Sequence, residues 1–157
     1  MGKISGWYVI AGGVLAALVL MAEQAFVNFR MLDPMWQEWW NNKEIKDLMI
    51  AQAGLAGACK TMAVLDLCTG LVVAWLYAAV RPRLGAGLMT AIVTGLIVWA
   101  LVLLQGYLPA MVWCPKFRQV MPVCALGDLV GYLVAASLAG WVYRERGDTG
   151  EGRRKAR

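Results

Sequence analysis

The chain has 157 residues, 61% of them hydrophobic, with a mean hydropathy of +0.59 and a formal net charge of +5. Soluble domains are about 45–50% apolar; here the excess falls in blocks and the basic residues cluster at block ends, which speaks for bilayer spans and against a soluble core or a nucleic-acid partner. Histidine is absent, which removes the commonest general base and metal ligand and argues against haem or zinc chemistry.

A span needs roughly 20 mostly apolar residues, so a chain of this length has room for four and little else. The first apolar block covers residues 7–29. Lys3 ahead of it resembles the n-region of a signal peptide, but the run is too long and no small-x-small cleavage site follows. We read it as a membrane helix or signal anchor.

Asp33 and then Pro34 give a helix start, an N-cap followed by proline at the first helical position. Trp36, Trp39 and Trp40 recur at i, i+3 and i+4 and so share one face. Residues 34–47 are predicted to form a short amphipathic helix on the outer membrane surface, with the indoles at the headgroup layer. Packing of the tryptophans on the outer end of the bundle is the competing reading; in an accessory subunit the tryptophan-rich surface helix would be a docking face.

The second span is predicted over residues 61–80, with a helical lead-in from Leu48 to Cys59. Arg81-Pro82-Arg83 with Gly85 should end it in a short turn, because proline breaks helices and two arginines anchor topology. The third span is predicted over 87–108, stopping before Pro109. A loop follows with Cys114, Pro122 and Cys124. The fourth span is predicted over 123–143, with Arg144 and Arg146 as further anchors. The glycine-rich charged tail, 147–157, is expected to be disordered. The fold class is therefore all-α: a transmembrane four-helix bundle over residues 1–146, carrying one short surface helix.

Placing the N-terminus, the Arg81–Arg83 turn and the tail on one side puts nine of the 15 basic residues there and six on the other. Basic residues mark the cytoplasmic side, most reliably in short loops. Both termini are expected to be cytoplasmic.

Every span has small residues four apart: Gly12 or Gly13 with Ala16 or Ala17; Gly70, Ala74 and Ala78; Gly87, Ala91 and Gly95; Gly127 with Gly131, then Ala136 with Gly140. Such rows let helix backbones approach closely in lipid, where association relies on packing. They suit a tight bundle or a homo-oligomer, though glycine and alanine are common in any span.

Three spans each carry one acid: Glu23, Asp66 and Asp128. By the predicted boundaries all three lie roughly 8–9 Å below the outer surface, and Gln105 lies nearer the outer end of the third span. An acid at the centre of a span costs roughly 2.5–3.5 kcal/mol, less toward the interface. Three at one depth suggest a shared polar site for a proton, a cation or a cationic ligand. The plainer reading is an inter-helix clamp, in which Arg30 and Lys60, at the same outer end, neutralise the acids or Tyr, Thr and Gln side chains hydrogen-bond them.

Cys114 and Cys124 fall in or beside the outer loop, and in an oxidising compartment a disulfide between them is plausible. Cys59 competes for either partner. Cys59 and Cys68, in one helix, stand roughly 13 Å apart along its axis, too far to bond, and Cys68 reads as an apolar packing residue. Four-span thiol–quinone redox proteins use a close cysteine pair such as Cys-x-x-Cys, which is missing here.

Two stretches carry a resemblance: Trp75-Leu76-Tyr77-Ala78-Ala79-Val80-Arg81-Pro82-Arg83-Leu84-Gly85, leading into a small-residue-rich third span with Trp99, and Ala139-Gly140-Trp141-Val142-Tyr143-Arg144-Glu145. Over residues 7–30 and 61–146 the chain resembles a family of small, uncharacterised four-span bacterial membrane proteins. The resemblance implies a bacterial inner-membrane location and a polar or acidic residue in the outer part of the first and fourth spans, where Glu23 and Asp128 stand. It implies no activity.

No phosphate-binding loop, dinucleotide fingerprint, zinc spacing or serine elbow occurs. The expected role is non-catalytic: an accessory or assembly subunit of a larger membrane complex, without cofactor or metal. The alternatives are a small proton- or cation-linked transporter or ligand-binding protein built on the acidic layer, and a thiol–disulfide redox protein.

Overall fold

The structure is a computed structural model. It describes residues 4–32, 54–113 and 117–143, with isolated positions between 34 and 47. Trp36, Trp39, Trp40, Cys114, Arg144, Arg146 and the tail lie outside the described residues, and with them most of the expected surface helix.

Four helices are long and apolar enough to cross a membrane. Helix α1 spans Gly6–Phe26 and ends in a π-helical turn, Val27–Met31. Helix α2, Gly54–Leu84, is a single 31-residue rod. Helix α3, Leu88–Val102, passes through a π-helical turn, Leu103–Tyr107, into the short α4, Leu108–Trp113. Helix α5 covers Phe117–Val142. No strand occurs among the described residues, and the all-α bundle of four spans is the fold.

Two expected breaks, at Pro109 and Pro122, are absent, and the one expected over residues 81–85 falls at its glycine and not at its proline. Helix α2 runs through Pro82 to Leu84. Pro82 gives up one backbone bond, to the carbonyl of Ala78, and the helix carries that loss for only the two residues that follow. The stop comes instead at Gly85, whose φ of 84° is left-handed and whose N–H bonds to Arg81 O at 2.8 Å, an αL C-cap. The third span continues past Pro109 to Val112. Pro109 would press on the carbonyl of Gln105, four residues back, and the π turn containing Gln105 widens the helix at that point. Helix α5 likewise contains Pro122, near an end where few backbone bonds are at stake, so Pro122 and Cys124 are helical and not part of a loop.

Helix α1 packs between α2 and α5, and α3 packs on α5 and α2. The core is made of small residues with a few large ones: Ala16, Leu20, Val73, Ala74, Tyr77, Ala135, Ala136 and Ala139 are all nearly inaccessible. The α1–α2 crossing is the tightest. A Cβ built on Gly70 would lie 2.6 Å from Ala17 N, and one on Gly13 would lie 2.9 Å from Leu71 Cα. Among the residues of the small rows, Gly87 is the exception: it is exposed in the turn before α3, with nothing near its would-be Cβ. Large apolar side chains such as Leu18, Val64, Leu101 and Val130 point outward, as lipid-facing residues must.

Candidate functional site: a carboxyl cluster between three spans

Glu23 lies in the last turn of α1 before the π turn. Its side chain runs along α5 over two glycines. A Cβ on Gly127 would come within 2.6 Å of Glu23 Oε1, and one on Gly131 within 3.0 Å of its Cγ. Any larger residue at either position would push the carboxyl away. The glycines thus form a cradle for Glu23, and their spacing of four repeats once per helical turn.

The carboxyl of Asp128 stands at hydrogen-bonding range from that of Glu23. Asp128 is buried, and Oδ2 accepts a 2.6 Å bond from Tyr107 Oη in the π turn of the third span. Asp66, on α2, is buried too, and its Oδ1 accepts from Gln24 Nε2 at 3.0 Å. It lies within electrostatic reach of both other acids. Glu23 and Gln24 are chain neighbours, about 100° apart around the helix. One therefore faces α5 and the other α2, and α1 ties the two acid-bearing helices together.

Both oxygens of Glu23 are out of contact with solvent and meet no hydrogen-bond donor among the described residues. Their polar neighbour is another carboxyl group. Buried polar atoms are nearly always paired, so an orphaned carboxyl facing a second one is the unusual feature of this protein.

The basic residues expected at this depth do not answer it. Arg30 and Lys60 are exposed, and no basic side chain among the described residues forms an ion pair with Glu23, Asp66 or Asp128. Gln105 is exposed; Tyr107, two residues on, supplies the polar contact from the third span. Tyr132, buried one turn beyond Asp128, lies within electrostatic reach of all three acids. Among the described residues no three acidic or cysteine side chains are arranged to hold a metal ion.

Cys59, Cys68 and Cys124 are free thiols, the first two exposed and the third half-buried beside Val27, Leu32 and Val120. Sequence reading expected Tyr and Gln partners for the acids but did not single out Gln24 or Tyr107, and it missed the glycine cradle. Gln24 carried a usable signal, a polar residue next to an intramembrane acid. Tyr107 carried none, because its direction depends on the π turn. No protein-family model, curated protein or solved structure matches the chain.

Proposed function

We propose that this integral membrane protein takes up a proton between Glu23 and Asp128, and that the cluster completed by Asp66 serves proton-linked transport or binding. The observation that carries this reading is the orphaned carboxyl of Glu23 abutting that of Asp128. Two carboxylates in contact cannot both remain charged at low cost, and a proton or cation between them resolves the conflict. Nearby cations do not resolve it, and the carboxyl geometry does not make a metal cage, so a proton is the favoured species. Tyr107 and Gln24 hold Asp128 and Asp66 in place, while Glu23 meets no donor among the described residues and is the group able to change partners.

The setting is a bacterial inner membrane with both termini in the cytoplasm, which places the cluster in the outer half. Support comes from the resemblance described above and from the excess of basic residues at the inner end. An accessory or assembly subunit of a larger complex is the second reading. It is favoured by the sealing of the Glu23 oxygens from solvent, which suits a static role.

The test is proton flux into vesicles that contain a trapped pH dye, with a potassium diffusion potential applied. Under the proton-linked reading the protein carries flux above that of empty vesicles, and Glu23→Gln abolishes it. Under the accessory reading wild type and Glu23→Gln both match empty vesicles.

A further inference from the structure

At the opposite end of the bundle, α2, α3 and α5 enclose a groove of about 420 Å³, within the roughly 300–1,000 Å³ of small-molecule sites. It lies where α2 ends at Leu84, α3 begins at Leu88 and α5 ends at Val142. Those are the ends of three membrane-crossing helices, where a span meets the headgroup layer.

The walls of the groove are fixed by contacts of three kinds. Gly87 N–H donates to Tyr77 Oη at 3.2 Å, and Thr90 Oγ1 donates to Gly85 O at 2.6 Å, so the turn between α2 and α3 is pinned from both sides. Tyr77 meets Tyr143 edge-on, with centroids 6.2 Å apart. The Arg81 guanidinium sits 5.5 Å from the Tyr143 ring centre, within cation–π range. Arg81 is the one charged residue among the described residues that line the groove. Outward, the groove opens past Leu88 and Trp141, which are 66% and 78% exposed.

We infer that this groove binds an anionic phospholipid, with its phosphate at Arg81 and its acyl chain along Leu88 and Trp141. Charge complementarity selects the headgroup. A guanidinium presents a rigid fork of donors that matches phosphate oxygens, and Arg83 on the same turn adds to the positive field. Basic pockets between spans at a membrane surface suit such headgroups. The apolar flank selects a lipid over a free anion, since a soluble phosphate has no use for an indole wall. The inference is independent of the carboxyl cluster, which lies toward the other membrane face.

The test uses the full chain in detergent, stripped of native lipid and followed by native mass spectrometry. Dioleoyl phosphatidylglycerol and dioleoyl phosphatidylcholine are added in turn. The expected result is about a tenfold preference for phosphatidylglycerol, the scale of one charge-assisted hydrogen bond. Arg81→Gln abolishes the preference and Arg81→Lys retains part of it. Arg83→Gln, outside the groove lining, leaves most of it. Trp141→Ala removes an exposed side chain the bundle does not need, and it weakens phosphatidylglycerol retention without unfolding the protein, which keeps the test decisive where Arg81→Gln fails to fold. Equal retention of the two lipids overturns the proposal, as does a preference that survives both Arg81→Gln and Trp141→Ala. Displacement of the lipid by an equal concentration of inorganic phosphate also overturns it, in favour of a soluble-anion site.

Discussion

The phenol of Tyr107 donates a 2.6 Å hydrogen bond to Asp128 Oδ2, linking the third span to α5 at the depth of the carboxyl cluster. The bond depends on the π-helical turn at Leu103–Tyr107. One extra residue in a turn rotates the side chains beyond it by about 100°, so Tyr107 faces inward and Gln105 faces out. Tyr107→Phe removes the donor and keeps the ring. It is expected to destabilise the bundle by about 1–2 kcal/mol, the upper range for polar contacts between membrane helices. Unfolding of wild type and variant in mixed micelles by a denaturing detergent checks this. Gln105→Leu, the exposed neighbour, should leave stability unchanged.

Close packing of α1 on α2 makes Gly70 intolerant of any side chain. A Cβ there would meet the Ala17 backbone nitrogen at 2.6 Å and its Cβ at 2.9 Å, and backbone cannot swing aside as a flexible side chain can. Gly70→Ala is expected to cost about 1–3 kcal/mol by overpacking. Gly106→Ala has nothing within 4 Å of the new methyl and should be neutral or slightly stabilising, since alanine is the better helix former. Thermal unfolding of both variants in one detergent separates packing from glycine content.

The hydropathy pattern made the four spans legible, together with the common depth of Glu23, Asp66 and Asp128, because both depend on distance along a helix axis. What it left out depends on rotation about that axis. Pro109 and Pro122 look like stops in a linear sequence, yet α4 and α5 continue through them, the first with help from a π turn that no residue pattern announces. The expected clamp by Arg30 and Lys60 rested on their matching depth, but both side chains point outward. Gly127 and Gly131 were visible as a close-packing row. Their role as a seat for the Glu23 side chain became apparent only with α1 docked against α5.

Topology offers a test that owes nothing to the site. Four spans put both ends of the chain on one side, and we propose that this side is the cytoplasm, which the basic residues of the Arg81–Arg83 turn favour. A fluorescent protein that folds only in the cytoplasm should therefore shine when fused after Arg157. Alkaline phosphatase, active only outside, should be inactive there and active when fused after Lys43.

The central claim is that one proton sits between Glu23 and Asp128. Infrared spectroscopy of the protein in lipid vesicles tests it most directly, because a protonated carboxyl has a C=O stretch apart from the amide and carboxylate bands. The account predicts such a band near neutral pH, shifting in heavy water, lost in Glu23→Gln and changed in frequency in Tyr107→Phe. A spectrum with no protonated-carboxyl band, or with a band that is the same in wild type and Glu23→Gln, would contradict it.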